Sequence, residues 1–274
     1  MKIMKKSLFF YAIIAAMVLC IVSCDERAHA VKDTTNNDTM FQSATLQSLM
    51  IGNYYGYISV GDLRSHGNHG LGTFENIDGE MIILNDTVFQ ARFDGSVSVA
   101  SDSTMVPFAV ATHFDNDINF TVKNIPSLDS LLNILTAHIN ESGQNLIYAV
   151  KIDVKNCNVV KARSELPQQK PYKPLAEALK TDQREFTFNN VSGTIVGVYF
   201  PAYMSQLNAV GWHCHFITSD RTHGGHLFDI SFSDTATVQL DPTPAFSLFM
   251  PEEKTFANTA LDKDLSKEIE AVEK

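Results

Sequence analysis

The chain has 274 residues, 45% of them hydrophobic, with 21 basic against 31 acidic side chains and a net charge of −10. That balance excludes a nucleic-acid role built on phosphate neutralisation, because no basic stripe exists to supply it. The apolar content suffices for one large domain or two small ones with a real core.

The first segment points to a compartment. Lys2, Lys5 and Lys6 precede an apolar run from Leu8 to Val22, shorter than the ~20 residues a spanning helix needs. The run ends in Ile21-Val22-Ser23-Cys24, which resembles a bacterial lipobox. Residues 1–23 are therefore expected to be a lipoprotein signal peptide, cleaved before Cys24, whose thiol takes the lipid. Residues 24–44 then form a tether, polar and aperiodic from Asp25 to about Asn37. The expected location is the bacterial cell envelope, periplasmic or outer-membrane. Loss of the three leader lysines makes the remainder more acidic still, so the membrane is reached by the lipid anchor only.

The folded part runs from 45 to 274. A short helix is predicted over Thr45 to Ile51. His66 and His69 follow in a Gly-rich loop; they invite a second-metal reading, but loop packing is preferred. Thr73 to Ile82 reads as two strand-like runs about an N-x-x-G turn, and Val106 to Phe114 as a strand. Ser127 to Ile139 carries Leu128, Leu131, Leu132, Leu135 and Ile139 on one helical stripe, fit to cover a sheet. Asn145 to Asp153 and Asn158 to Arg163 read as a hairpin with its turn near Lys155-Asn156-Cys157, and Lys170 to Pro174 as a connector.

Thr187 to Val196 then repeats Thr73 to Ile82 in register: Thr, Phe, Asn, an aliphatic residue, Gly and two further apolar residues. This is read as an internal duplication, with a first half over about 45–168, a second over about 175–250 and a tail helix over about 262–274. The fold class expected is α+β: two similar mainly-β halves with a few covering helices. In this pairing Ala109 and Ala111 correspond to His213 and His215, so one half alone carries the histidines.

Those histidines are the strongest signal. His213 and His215 are two apart in an apolar strand-like run, which puts both imidazoles on one face and Cys214 on the other. Ser219 to Thr222 reads as a turn, and Gly224-Gly225 lets the backbone return His226 beside the pair. Three neutral imidazoles from one hairpin make an open metal site, for which zinc is the expected ion. His223, in the turn, is read as solvated. Thr235 to Leu240 and Ala245 to Phe249 are short strands split by the Asp241 to Pro244 break, and Leu265 to Glu273 is a charged terminal helix. Cys20 leaves with the leader, so Cys157 and Cys214 remain, either as small buried apolar residues or as a pair formed in an oxidising periplasm.

Together these motifs resemble the alpha-acetolactate decarboxylase family. The segments that carry the likeness are Gly56 to Asp62, His66 to Met81, Lys161 to Ser164 and Gly211 to His226, in the family's order from about Leu46 to the C-terminus. The resemblance implies conversion of 2-acetolactate to acetoin and CO2 through a metal-stabilised enediolate, with zinc on His213, His215 and His226. It implies active-site roles for Thr73, Glu80, Arg163 and a tail glutamate, Glu273 matching best and Glu270 remaining open. A homodimer is expected. The last turn should dock with Glu273 facing the pocket opposite Glu80, Ile269 and Val272 supplying apolar contacts. Cys214 stands where the family often has leucine, and Glu165-Leu166 interrupts its usual Ser/Thr-Val-Pro run after Arg163. Two other classes compete: a non-catalytic zinc-binding lipoprotein, which gives Arg163 and the Thr73–Glu80 motif no purpose, and a cupin-like metalloenzyme, which wants a glutamate soon after His215 where Ile217-Thr218-Ser219 offers none.

Overall fold

The structure, a computed structural model, describes residues 38–273; the leader, Cys24 and positions 25–37 of the expected tether lie outside the described residues. In chain order the strands are β1 (Thr39–Ser43), β2 (Ile58–Ser59), β3 (His69–Thr73), β4 (Glu80–Leu84), β5 (Thr87–Ala91), β6 (Val97–Val99), β7 (Met105–Val106) and β8 (Phe108–Thr112). They continue as β9 (Ile118–Val122), β10 (Ile147–Glu165), β11 (Gln183–Phe200), β12 (Gly211–Thr218), β13 (Gly224–Ser231), β14 (Ala236–Thr243) and β15 (Ala245–Phe249). One sheet has the order β15-β1-β8-β3-β4-β5-β6, a second β11-β12-β13-β10-β14-β9, and β2 pairs with β7. Because β11 also pairs with β10, strands β10 to β13 close on themselves. The class is α+β. Among the described residues no helix is long and apolar enough to cross a membrane.

The predicted helices form where their caps place them. Thr45 caps Leu46–Met50 by accepting from the Ser48 N–H, and Ser127 caps Leu128–Ser142 by accepting from the Ser130 N–H. Leu131, Leu135 and Ile139 of the long helix are fully buried against Tyr148, Val150 and Ile152 of β10 and Phe216 of β12. Each such side chain stabilises by about 1.5–3 kcal/mol, and Leu135→Ala would cost roughly 2–5 kcal/mol. The alternate residues of β10, Ile147 and Ala149, join Leu71, Phe108 and Val110 of the other sheet. The two sheets therefore share an apolar layer, and the functional residues sit at its edge.

Five local expectations are corrected. The expected tether over 24–44 ends earlier, because Thr39–Ser43 form β1 between β15 and β8, with the apolar Met40 and Phe41 buried in two core clusters. The hairpin expected over Asn145 to Arg163 is one continuous strand, β10, paired with β11 on both sides of a register shift between Val154 and Cys157. A bulge absorbs the polar Lys155-Asn156 step that reads as a turn. The turn expected at Asn190 to Gly193 is likewise absent, because β11 runs through it. Gly193 serves packing instead: a Cβ there would lie 2.2 Å from the Phe216 ring. The two repeat segments thus differ locally, a hairpin in the first and a straight run in the second. The sheets also divide before Ile118 rather than at the 168–175 connector, and β15 returns to lie parallel to β1. Finally, β14 extends through Asp241 and Pro242 to Thr243, so the expected break shrinks to Pro244. Cys157 and Cys214 are free and buried in one core cluster, which settles them as small apolar residues.

Candidate metal centre and active site

Three adjacent strands set one row of side chains. Across β12, β13 and β10, His215 lies opposite His226, and His226 opposite Arg163. His213 shares the face of His215, while Cys214 between them turns into the core under the long helix. Gly225 makes the row possible: at φ +149° its backbone runs so close to β10 that a Cβ would sit 2.5 Å from the Arg163 carbonyl oxygen.

The other sheet supplies the facing wall. Thr73 and Glu80 are register partners at the mouth of the β3–β4 hairpin. The Thr73 hydroxyl donates to the Gly79 carbonyl at 2.8 Å, closing the turn that aims Glu80. The terminal helix, Ser266–Glu273, brings Glu273 to the site; Ile269 is buried with Leu46 and Leu49, and Val272 packs on the same cluster. Arg163 Nη2 donates to the Val272 carbonyl, so a cation sits at the negative end of that helix.

The three imidazoles fit a shared cation. His213 Nε2 is 3.1 Å from His215 Nε2 and 3.2 Å from His226 Nδ1. Two nitrogens at roughly 2.1 Å from one tetrahedral ion would stand about 3.4 Å apart. The outward nitrogens face oxygens. His215 Nδ1–H donates to the Met81 carbonyl at 2.7 Å, and His226 Nε2–H donates to the Glu273 carbonyl at 3.1 Å. Those bonds leave the inward lone pairs free. His213 Nδ1 lies 3.1 Å from Glu273 Oε2, but off line for a hydrogen bond, so both buried atoms lack a partner. Arg163 Nη2 also comes within 3.2 Å of His226 Nε2. That nitrogen's proton already serves Glu273, so this is a close approach and not a bond.

Burial drives the titration of the site. It holds His213 down at about 3, with the Arg163 charge adding to it. His215 and His226 lie well below their ordinary value, from burial first and the His213 ring second. Neutral imidazoles are what metal ligation needs. Carboxyls move the other way: burial pushes Glu273 up to about 7 against the pull of Arg163. Glu80 is raised well above the usual range by burial and then by Glu165, with Arg163 opposing. Glu80 Oε2 is 3.3 Å from His215 Nε2, near enough to act on anything the histidines hold.

One cavity is lined by Thr73, Glu80, Arg163, His213, His226 and Glu273. Glu270 is exposed and does not line this cavity; it lines a neighbouring cleft beside Leu128 and Trp212, to which Glu273 also contributes. His66 stacks on Phe41 and the buried His69 bonds the Val150 carbonyl at 3.0 Å, so neither joins the triad; His69 lies in β3 rather than in a loop. His223 is exposed. Sequence reasoning assigned no role to Glu165, which is 7% exposed and also lines the cavity. Its two-residue spacing from Arg163 was the available signal.

Comparison with known proteins agrees along most of the chain. The family model described as Alpha-acetolactate decarboxylase matches residues 40–263. The alpha-acetolactate decarboxylase of Methanosarcina mazei is 39% identical over 246 residues, 89% of this chain and 84% of that one. That of Brevibacillus brevis is 36% identical over 236 residues, 86% of this chain and 81% of that one. The crystal structure of alpha-acetolactate decarboxylase from Bacillus subtilis strain 168 superposes with a TM-score of 0.82 at 33% identity, covering 86% of this chain and 99% of its own.

Proposed function

From the alpha-acetolactate decarboxylase family, to which this chain belongs, we propose zinc-dependent conversion of 2-acetolactate to acetoin and CO2. The observation that carries the metal part is the convergence of three buried, neutral imidazole nitrogens whose outward partners all face oxygens. Zinc, when bound, supplies Lewis-acid polarisation of the substrate's hydroxyl and ketone oxygens.

The chain's own groups do the rest. Arg163, at the rim of the cavity, holds the substrate carboxylate and orients the bond to be broken. As that bond breaks, CO2 departs and its electron pair stays on the carbon beside the ketone. Glu80, whose carboxyl burial pushes toward the protonated form, delivers a proton there, from one side, which sets product handedness. The proton that Glu80 gives up is restored from solvent as the cycle closes, with Glu273, which reaches the same space from the opposite element, as the second carboxyl on its way. Thr73 keeps the Glu80 turn shut, and Leu46, Leu49 and Phe108 exclude water around the reacting carbon.

Acetoin formation from racemic acetolactate, assayed with chelator and with zinc restored, tests both parts. No acetoin from the purified protein would sink the decarboxylase reading. Full turnover after complete metal removal, or restoration by iron alone, would sink the zinc reading. The lipid anchor at Cys24 is supported by Lys2, Lys5, Lys6 and the Ile21–Cys24 run; mass spectrometry of the membrane-extracted protein against a Cys24→Ser variant tests it. Sedimentation tests the homodimer that the resemblance implies.

A further inference from the structure

Glu165 ends β10 two residues after Arg163, so the two side chains share a face and both line the cavity. Ser164 between them is engaged elsewhere: its hydroxyl donates at 2.8 Å to the carbonyl of Ala91, the β5 residue that pairs with Glu80. This tie draws the end of β10 against the other sheet at the level of Glu80. Glu165 and Glu80 are both buried there and line the same cavity, one from each sheet.

The rest of the wall explains why that placement matters. Thr73 spends its hydroxyl proton on Gly79, Arg163 gives Nη2 to the terminal helix, and Ile77, Leu175 and Leu179 are apolar. A glutamate has three side-chain torsions, and a buried carboxyl without a fixed partner both costs stability and samples several orientations. Glu165, buried in the same wall, is placed to be that partner.

We propose that Glu165 is a positioning residue: reaching the cavity from the opposite sheet, its carboxyl shares a hydrogen bond with that of Glu80 and holds Glu80 in the one orientation from which it protonates a single face of the substrate. This rests on the decarboxylase reading above, in which Glu80 is the proton donor. Glu165 need not touch the substrate. Its effect passes through Glu80 and so falls on turnover and product handedness, not on substrate or metal affinity.

The test compares the full-length parent with E165L and E165Q for kcat, KM, acetoin enantiomeric excess and zinc per chain. Leucine fills the space without a hydrogen bond; glutamine keeps one. E165L should lose about tenfold or more in kcat, a part of the scale for a positioned acid, with KM and zinc content within about twofold and enantiomeric excess clearly reduced. E165Q should recover kcat to within about threefold, together with the parent's enantiomeric excess. An E165L protein with parental kcat and handedness overturns the proposal. Equal losses in both variants also overturn it, as does a loss in E165L that tracks its zinc content, because Glu165 would then only support the fold or the metal. If the parent makes no acetoin, the functional reading itself has failed. An active parent with an unaffected E165L sinks this inference alone.

Discussion

His226 and Glu273 lie 47 positions apart, yet the His226 Nε2–H donates to the Glu273 backbone carbonyl at 3.1 Å. The last turn of a charged terminal helix therefore sets the tautomer of a candidate metal ligand. The same residue's side chain approaches a second candidate ligand, His213, at 3.1 Å. The tail belongs to the site through its backbone as well as its carboxyl.

Deleting residues 269–274 should consequently lower both activity and metal retention. Losing such an outer acceptor typically weakens a metal site about 10–100-fold, and Ile269 leaves the core at the same time. Zinc affinity by competition with a chromophoric chelator, measured beside acetoin production, checks this. A truncated protein that holds zinc as tightly as the parent would show that the carbonyl contact is dispensable.

Glu273→Gln separates the two contributions. It keeps the backbone carbonyl and removes the titrating group, so metal content should stay near one per chain while kcat falls by roughly 10²-fold. Parental kcat in this variant would remove Glu273 from the proton chemistry.

His226→Ala should lose metal and activity while the fold survives, because β13 keeps its pairing to β10 and β12 and its own apolar contacts through Leu227 and Ile230. Circular dichroism and metal analysis of the same sample decide it. Global unfolding would make the metal structural rather than catalytic.

Arg163→Lys tests whether charge alone suffices at that position. A lysine retains the cation but not the planar fork, so KM for acetolactate should rise and kcat fall together. The helix end would also lose the donor to Val272. Kinetics indistinguishable from the parent's would exclude carboxylate orientation by the guanidinium.

The buried His69 gives a pH signature away from the metal. Burial holds it at about 4 in the folded protein, against roughly 6.5 unfolded. Between those values the unfolded chain binds more protons, so stability is lost as pH falls from about 6.5 to 4, by up to about 3 kcal/mol. Denaturant titrations of the parent and His69→Gln at pH 7 and pH 4.5 should show the smaller loss in the variant. Parallel losses would contradict the assignment.

Much of this was readable from residue spacing. The period of two at His213 and His215 and the Gly224-Gly225 return put three imidazoles on one face, because strand alternation and glycine freedom are local properties. The helices at Leu46 and Leu128 were equally local, declared by Thr45 and Ser127 at their caps. Tertiary structure alone decided the rest. Lys155-Asn156 looks the same as a turn or as a bulge, and only pairing with β11 along its whole length makes β10 one strand. The repeat-like match at Thr187 could not reveal that one copy bends and the other runs straight. Spacing puts Glu165 on the face of Arg163 but not in the cavity with Glu80, and it says nothing of the Glu273 carbonyl, because those placements arise where strand ends and a terminal helix meet across two sheets. Such contacts depend on how distant surfaces pack, whereas a side chain's face depends only on its neighbours in the chain.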